Sequence, residues 1–360
     1  DGIVRYVGDP VLMVVAESPE QARDAAELVF IDYEPLDAVV ETARAMADGS
    51  PQIWPQAPGH LCLDWEAGDR AETEKAFKSA DKVVSLDLVN NRVVPNSMET
   101  RGVVAAFENN RLVLHVSCQG VHVMRRILAN QIFHCDEQDI HVLCHDVGGG
   151  FGMKIFLYPE YVTALFAARK LGSPVKWVSE RQEAFVSDTH GRDHLTTISL
   201  ALDSDARILA LKAETVANLG AYLSNFSTFV ATAAGVPMLV GCYDIPAAFV
   251  QVKGVFTNTV PVDAYRGAGR PEAIYAIERV LDVAARETGL SPLEIRQRNF
   301  IRPEVMPYST ALGSVYDSGD FAKNLTDAAR LAGWQDIDSR RSAAARQGKL
   351  RGIGVASYIE

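Results

Sequence analysis

The sequence contains 360 residues, of which 48% are hydrophobic and 22% are charged, and its formal net charge is −11. This balance is typical of a folded protein, and the length fits about two domains. The negative charge argues against nucleic acid or an anionic membrane as a partner, because a surface that binds phosphates needs an excess of Lys and Arg.

Five cysteines are scattered along the chain without a Cys-x-x-Cys spacing. They indicate neither a disulfide framework nor an iron–sulfur site, and they favour a reducing compartment, the cytoplasm. The longest apolar stretches, such as 231–240, are well short of the roughly 20 residues that cross a bilayer. Because no leader follows Asp1 and an apolar run is still open at Glu360, we expect an internal piece of a longer polypeptide, incomplete at both ends.

Residues 1–50 predict a small α/β domain. An apolar strand over 11–16 precedes Ser18, which is predicted to form a capping box with Gln21 at the start of a helix that begins at Pro19. A second strand is expected from Phe30. Residues 51–75 are predicted to form a connector, because this region is rich in Pro, Gly and Trp and shows no clear period.

Residues 76–360 predict a larger mixed domain, so that the fold class is α+β. The part from Lys82 to Asp146 is expected to be rich in strands, with a hairpin turn at Asn109-Asn110 and a helix over 121–133. After it we expect a helix over 159–170 and a hairpin around Asp203. A helix from Pro271 is predicted to end before Gly289, and Ser291 is predicted to begin a capping box.

The segment Gly148–Lys154, which we call the glycine loop, has four glycines in its first five positions. Glycine lets main-chain N–H groups converge on a ligand without side-chain obstruction, and a loop between a strand and a helix suits an anionic or oxo group. Known phosphate loops do not match, because Met153 separates the last glycine from the lysine and is itself not glycine. A flexible turn is the alternative, but the lone aromatic Phe151 argues against it.

The segment Ala264–Arg270, which we call the arginine loop, also meets a predicted helix start. Its two guanidinium groups can each fork onto a pair of oxygens. Two such loops suggest one large, oxygen-rich anion as ligand. The structural alternative is that the arginines pair with Asp263 or Glu272.

Histidine and cysteine neighbours give only weak signals of a metal site. His190 and His194 lie about 13 Å apart if they share a strand, too far for one ion. The pairs His134-Cys135 and Cys144-His145 would point to opposite faces of a strand, which disfavours zinc.

Three motifs together resemble the large subunit of the molybdenum hydroxylases, the family of xanthine dehydrogenase, aldehyde oxidase and aerobic carbon monoxide dehydrogenase. They are Pro95–Gly102, the glycine loop, and the arginine loop extended to Ala273. Residues 4–36 resemble the end of that family's a/b hammerhead domain. The resemblance then implies that 76–360 is the first part of the molybdenum cofactor-binding domain.

The resemblance implies an oxidoreductase that hydroxylates an aldehyde or an N-heteroaromatic substrate with oxygen derived from water. It implies a molybdenum–pyranopterin cofactor in the cytosine dinucleotide form, with no direct protein ligand to the metal, and 2Fe-2S clusters and FAD on partner subunits in a hetero-oligomer. The residues that it places at the cofactor are Gln119, Gly150, Phe151, Gly152, Arg266 and Gly267. The catalytic general base is expected beyond Glu360, and Glu99 is expected to have a structural or domain-docking role.

Departures from the family pattern bear on the substrate. Gly267 stands where carbon monoxide enzymes have a copper-binding cysteine, Ile155 where purine enzymes have a glutamate, and Ala268 where an aromatic residue is expected. Carbon monoxide and purines are therefore disfavoured. Two other functions stay open: a non-catalytic anion-binding or subunit-assembly module, and a nucleotide-dependent enzyme.

Overall fold

A computed structural model describes residues 2–359. The helices are α1 (Pro19–Glu27), α2 (Arg70–Ser79), α3 (Val121–Ile127), α4 (Pro159–Leu171), α5 (Arg181–Ser187), α6 (Ser227–Phe229), α7 (Arg270–Thr288), α8 (Pro292–Asn299), α9 (Phe321–Leu331) and α10 (Ile337–Ala345). The strands are β1 (Leu61–Gly68), β2 (Lys82–Asn90), β3 (Gly102–Glu108), β4 (Arg111–Val116), β5 (Ile140–Leu143), β6 (Val175–Val178), β7 (His194–Leu202), β8 (Ile208–Gly220), β9 (Ala247–Phe256), β10 (Tyr308–Ser309) and β11 (Val315–Tyr316).

Two larger sheets organise these elements. A five-stranded sheet has the order β1-β9-β8-β7-β2, and a four-stranded sheet has the order β5-β4-β3-β6. Helix α7, the helix predicted from Pro271, packs on the first sheet and buries an apolar face that includes Ile277, Val280, Leu281 and Ala284. Helix α4 packs on the second sheet and fills a separate core. The mixed α+β class is confirmed.

Most of the elements expected in the larger domain are confirmed. Asn109 and Asn110 both have positive φ and join β3 to β4, as a two-residue hairpin turn requires. Ser291 forms the capping box of α8. The helix expected over 121–133 is α only to Ile127 and continues as a π-helix over Leu128–Phe133.

The two strands expected near the N-terminus are wrong. Residues 11–16 and 30–40 have no regular structure. Of the capping box predicted at α1, the Ser18 half is present, because Ser18 accepts from the Gln21 N–H at 3.3 Å. An isolated extended segment leaves its N–H and C=O groups unpaired, and neither segment has a strand partner within the described residues.

Part of the predicted connector is regular structure. Strand β1 pairs antiparallel with β9, and Asp69 then caps α2 by accepting from the Glu72 N–H at 3.0 Å. From Leu63 onward, successive residues of β1 alternate between half-buried and exposed, which is the two-residue period of a β-strand. The boundaries of the predicted domains stay a prediction.

Three chain segments meet at one edge of the four-stranded sheet. Strands β4 and β5 are parallel, and β3 runs antiparallel to β4. The ends of β4 and β5 therefore lie beside the start of β3. Gln119 follows β4, the glycine loop follows β5, and Glu99 precedes β3. In open mixed sheets, the carboxyl ends of parallel strands are where ligands commonly bind.

Candidate functional site

The glycine loop and the arginine loop touch each other. The Arg266 N–H donates to the Phe151 carbonyl O at 2.9 Å. A Cβ atom built on Gly152 would lie 2.4 Å from the Ala264 carbonyl O, so that only glycine permits this approach. Gly152 also has a φ of +103°, which other residues rarely adopt. The two loops that the sequence singled out therefore form one continuous surface.

Gln119 is bound to the glycine loop from the end of β4. Its side-chain Oε1 accepts from the Gly152 N–H at 2.9 Å, and its backbone N–H donates to the Lys154 carbonyl O at 3.0 Å. A Cβ on Gly150 would lie 2.3 Å from Gln119 Oε1. The Gln119 Nε2 group has no acceptor within residues 2–359, so this side chain presents a free N–H₂ group at the exposed surface.

Several backbone donors at the joined loops are also free. Among residues 2–359, no acceptor is found for the N–H groups of Gly150, Phe151 or Gly267. Phe151 has a φ of +56°, which is unfavourable for a residue with a Cβ, and its side chain is exposed. Strained backbone of this kind concentrates at functional sites.

Glu99 fastens the glycine loop to the start of β3. Its Oε2 accepts from Lys154 Nζ at 2.7 Å, from Ser117 Oγ at 2.6 Å and from the Gly148 N–H at 2.7 Å. Partial burial raises the pKa of Glu99, but these three hydrogen bonds outweigh it, and the net shift is downward. The geometry agrees with the structural role expected for Glu99.

Glu99→Gln is expected to destabilise the fold by about 1–2 kcal/mol, because the fully buried Lys154 ammonium loses its counter-charge. The cost stays this small because Glu99 is partly exposed, so that water screens the ion pair. Denaturant unfolding at neutral pH measures this change. The control is Glu72→Gln, whose pair with Lys75 is exposed.

The same comparison has a pH signature. A carboxylate with a lowered pKa stabilises the fold above its unfolded pKa, and this contribution is lost as pH falls through the folded value. The gap between wild type and Glu99→Gln should therefore close in acid. A gap that is unchanged from neutral pH to about pH 3 would contradict the assignment.

Among residues 2–359, no carboxylate forms an ion pair with Arg266. Glu272 pairs instead with Arg192 at 3.0 Å. Asp263 accepts from the backbone N–H groups of Ala264 at 2.6 Å and Phe226 at 2.7 Å. The Arg266 side chain is exposed, and its guanidinium lies 5.9 Å from the centre of the Phe151 ring. The structural alternative weighed for the arginine loop is therefore wrong for Arg266.

Of the histidines that the sequence suggested, His190 is held by a contact with the protein backbone. The His190 ring contacts the Phe185 carbonyl O at 3.1 Å, and burial together with the nearby Arg92 lowers the pKa of His190 to about 4. Burial also lowers the pKa of His194. In the described part of the chain, no group of three or more His, Cys, Asp or Glu side chains is arranged to hold a metal ion.

Comparison with known families gives the surface its context. Residues 53–300 match the molybdopterin cofactor-binding domain, and residues 1–37 match the a/b hammerhead domain of aldehyde oxidase and xanthine dehydrogenase. The chain belongs to the molybdenum hydroxylase family. Its molybdopterin cofactor-binding domain contains both the glycine loop and the arginine loop.

Individual relatives of this molybdenum hydroxylase chain support its assignment to the family. The carbon monoxide dehydrogenase large chain of Hydrogenophaga pseudoflava is 34% identical, over 100% of this chain and 47% of that one. The nicotine 6-hydroxylase large subunit of Paenarthrobacter nicotinovorans is 34% identical, over 99% and 44%. The structure of quinoline 2-oxidoreductase from Pseudomonas putida 86 superimposes with a TM-score of 0.90 at 34% identity, over 97% and 44%.

The chain spans about half the length of the curated relatives that it matches. Of the helices within residues 2–359, none combines the length and apolarity that a membrane crossing requires.

Proposed function

We propose that this chain holds a molybdenum–pyranopterin cofactor on the surface formed by Gln119, the glycine loop and the arginine loop. The enzyme that contains it would hydroxylate an aldehyde or an N-heteroaromatic substrate with oxygen derived from water. The observation that carries the proposal is the direct joint between the loops, at the bond from the Arg266 N–H to the Phe151 carbonyl.

The donors on this surface suit the proposed cofactor. The free N–H groups of Gly150, Phe151 and Gly267, the Gln119 amide and the Arg266 guanidinium are all hydrogen-bond donors. Dithiolene sulfurs, pterin heteroatoms and metal-oxo groups are acceptors, and a glycine-lined backbone lets a flat, bulky group approach closely. When bound, the group supplies two-electron oxidation with water as the oxygen source.

The general base is proposed to lie beyond Glu360. Glu99 is the tempting carboxylate near the surface, but its Oε2 accepts three hydrogen bonds and its pKa is lowered. A carboxylate held in its charged form by donors is a weak proton acceptor. Glu99 therefore holds the loop in place, and the substrate proton is removed elsewhere.

The substrate proposal rests on Gly267, Ile155 and Ala268. Gly267 offers no thiol for copper, has a φ of +95°, and would place a Cβ 2.5 Å from Pro271 Cγ. This disfavours carbon monoxide as substrate in spite of the similarity to a carbon monoxide dehydrogenase. The names of two relatives, nicotine 6-hydroxylase and quinoline 2-oxidoreductase, support an N-heteroaromatic compound.

The finer assignments belong to the same proposal. We propose the cytosine dinucleotide form of the cofactor, partner subunits that carry 2Fe-2S clusters and FAD, and a cytoplasmic location. Relatives that are large subunits of complexes support the partners. The location is supported by the five cysteines, all of which are free thiols.

The test is cofactor content in the holoenzyme after Phe151→Ala or Arg266→Ala. Loss of the charged donor in Arg266→Ala should weaken retention by about 10–100-fold, and molybdenum and pterin per chain should fall together. Phe151→Ala keeps its backbone N–H and removes only the ring beside the Arg266 guanidinium, so its loss should be smaller. Phe229→Ala and Arg330→Ala are matched controls at exposed positions outside both loops, and they should retain full cofactor.

Two outcomes would overturn the proposed function. Unchanged molybdenum with lost subunit association would favour an assembly module. Wild-type holoenzyme that lacks molybdenum but binds ATP or NAD would favour a nucleotide-dependent enzyme.

A further inference from the structure

The segment His190–Asp193 lies directly behind the arginine loop and is fixed from two sides. The His190 N–H donates to the Pro261 carbonyl O at 3.0 Å, and Gly191 exchanges two backbone bonds with Val93 at 3.0 and 2.9 Å. A Cβ on Gly191 would lie 2.3 Å from Tyr265 Cβ. The glycine therefore lets this rigid segment approach the arginine loop.

Arg192 reaches from this segment into the arginine loop. Its Nη1 donates to the Tyr265 carbonyl O at 3.0 Å and to Glu272 Oε1 at 3.0 Å, and its Nη2 donates to the Arg266 carbonyl O at 2.7 Å. The guanidinium also lies 5.1 Å from the centre of the Tyr265 ring. The side chain is 10% exposed, so water competes little for these bonds. One planar fork thus holds two consecutive carbonyls.

Each of these carbonyls shares a peptide plane with a donor of the candidate surface. The Tyr265 carbonyl belongs to the same unit as the Arg266 N–H, which bonds Phe151. The Arg266 carbonyl belongs to the same unit as the Gly267 N–H, which has no acceptor among the described residues. In a trans peptide the C=O and N–H point in opposite directions. Holding the two carbonyls from behind therefore directs both N–H groups forward.

We propose that Arg192 is a positioning residue that orients the peptide planes of the arginine loop and so aims the Gly267 N–H at the cofactor. The inference rests on the proposed function. A lysine cannot replace the fork, because an ammonium is a point charge and does not hold fixed donors in one plane. Glu272 balances the Arg192 charge and ties it to the first turn of α7.

The experiment compares Arg192→Ala and Arg192→Lys in the holoenzyme, with molybdenum per chain and the separate values of kcat and KM as readouts. We expect about 10–100-fold weaker cofactor retention for Arg192→Ala and an intermediate loss for Arg192→Lys. Millimolar guanidinium ion should restore Arg192→Ala, since it can occupy the vacated cavity, and it should not restore Arg192→Lys.

The matched control is Arg296→Ala. Arg296 is a fully buried arginine that pairs with Glu278 and Asp282, and its hydrogen bonds go to neither loop. Its loss should lower stability and leave the cofactor content of the folded fraction unchanged.

The outcomes separate this inference from the function on which it rests. Wild type without molybdenum refutes the proposed function. Fully loaded wild type with Arg192→Ala equally loaded refutes only the role of Arg192. The same loss and the same guanidinium rescue in Arg296→Ala would also refute it, because the effect would then be general to buried arginines.

Discussion

Arg101→Met is expected to lower the free energy of unfolding by about 3–5 kcal/mol, because it leaves two carboxylates without their counter-charge in the interior. The Arg101 side chain is fully buried. It contacts Glu160 through two bonds of 3.0 Å and Asp188 at 2.5 Å, and its guanidinium lies 3.7 Å from the centre of the Tyr158 ring. These contacts join the start of β3 to α4 and α5.

The cost should depend on pH. Burial raises the pKa of Asp188 even in the wild type, where Arg101 opposes that shift. Without Arg101 the carboxyl should become still harder to ionise. A carboxyl whose pKa is raised in the folded state makes the protein less stable as pH increases through that pKa. The difference in unfolding free energy between wild type and Arg101→Met should therefore shrink as pH is lowered toward about 4.

Urea unfolding of Arg101→Met and wild type over this pH range measures both effects. The control is Arg23→Met, whose pair with Glu180 at 3.3 Å is exposed and should be worth less than about 1 kcal/mol. If Arg101→Met costs no more than Arg23→Met, the buried cluster does not hold these elements together.

Gly152→Ala is expected to separate the two loops of the candidate site. The added Cβ would meet the Ala264 carbonyl O at 2.4 Å, and a backbone atom cannot move away as a flexible side chain can. The left-handed conformation adds about 1–2 kcal/mol of strain, and overpacking adds about 1–3 kcal/mol. We therefore expect both a loss of stability and a loss of cofactor in the holoenzyme.

Gly172→Ala separates strain from contact. Gly172 also has a positive φ, of +65°, but nothing lies within 4 Å of a Cβ at that position. This variant should lose only the strain energy and keep its cofactor. The comparison is read by thermal unfolding and by molybdenum per chain. Equal behaviour of Gly152→Ala and Gly172→Ala would show that the approach of the two loops is unimportant.

The glycine loop shows what a sequence can reveal about a site. Its bare backbone predicted a place where something approaches closely, and the structure gives a separate contact at three positions: Glu99 at Gly148, Gln119 at Gly150 and Ala264 at Gly152. The residue types carried the prediction because only glycine tolerates these distances. That Gln119, Phe151 and Arg266 contact a cofactor stays a prediction.

Arg192 shows what the sequence could not reveal. Nothing in its spacing connects it to Tyr265 or Glu272, since the contact depends on how β7 and α7 pack. The N-terminal strands failed for a related reason. Their apolar composition suits a strand, but a strand also needs a neighbour, and composition cannot supply one. Strand β1 was missed although Leu61, Leu63, Trp65 and Ala67 alternate, because Pro and Gly dominate the stretch before it.

The bond between the Arg266 N–H and the Phe151 carbonyl joins parts of the chain that are far apart in sequence. Closing so large a loop carries an entropic cost that must be met before the contact gains anything, so contacts of this kind form late in folding. A nascent polypeptide that has emerged from the ribosome only as far as α4 contains the glycine loop but not yet the arginine loop. On the function proposed above, loading of the cofactor would therefore follow synthesis of both loops, at least as far as Arg266.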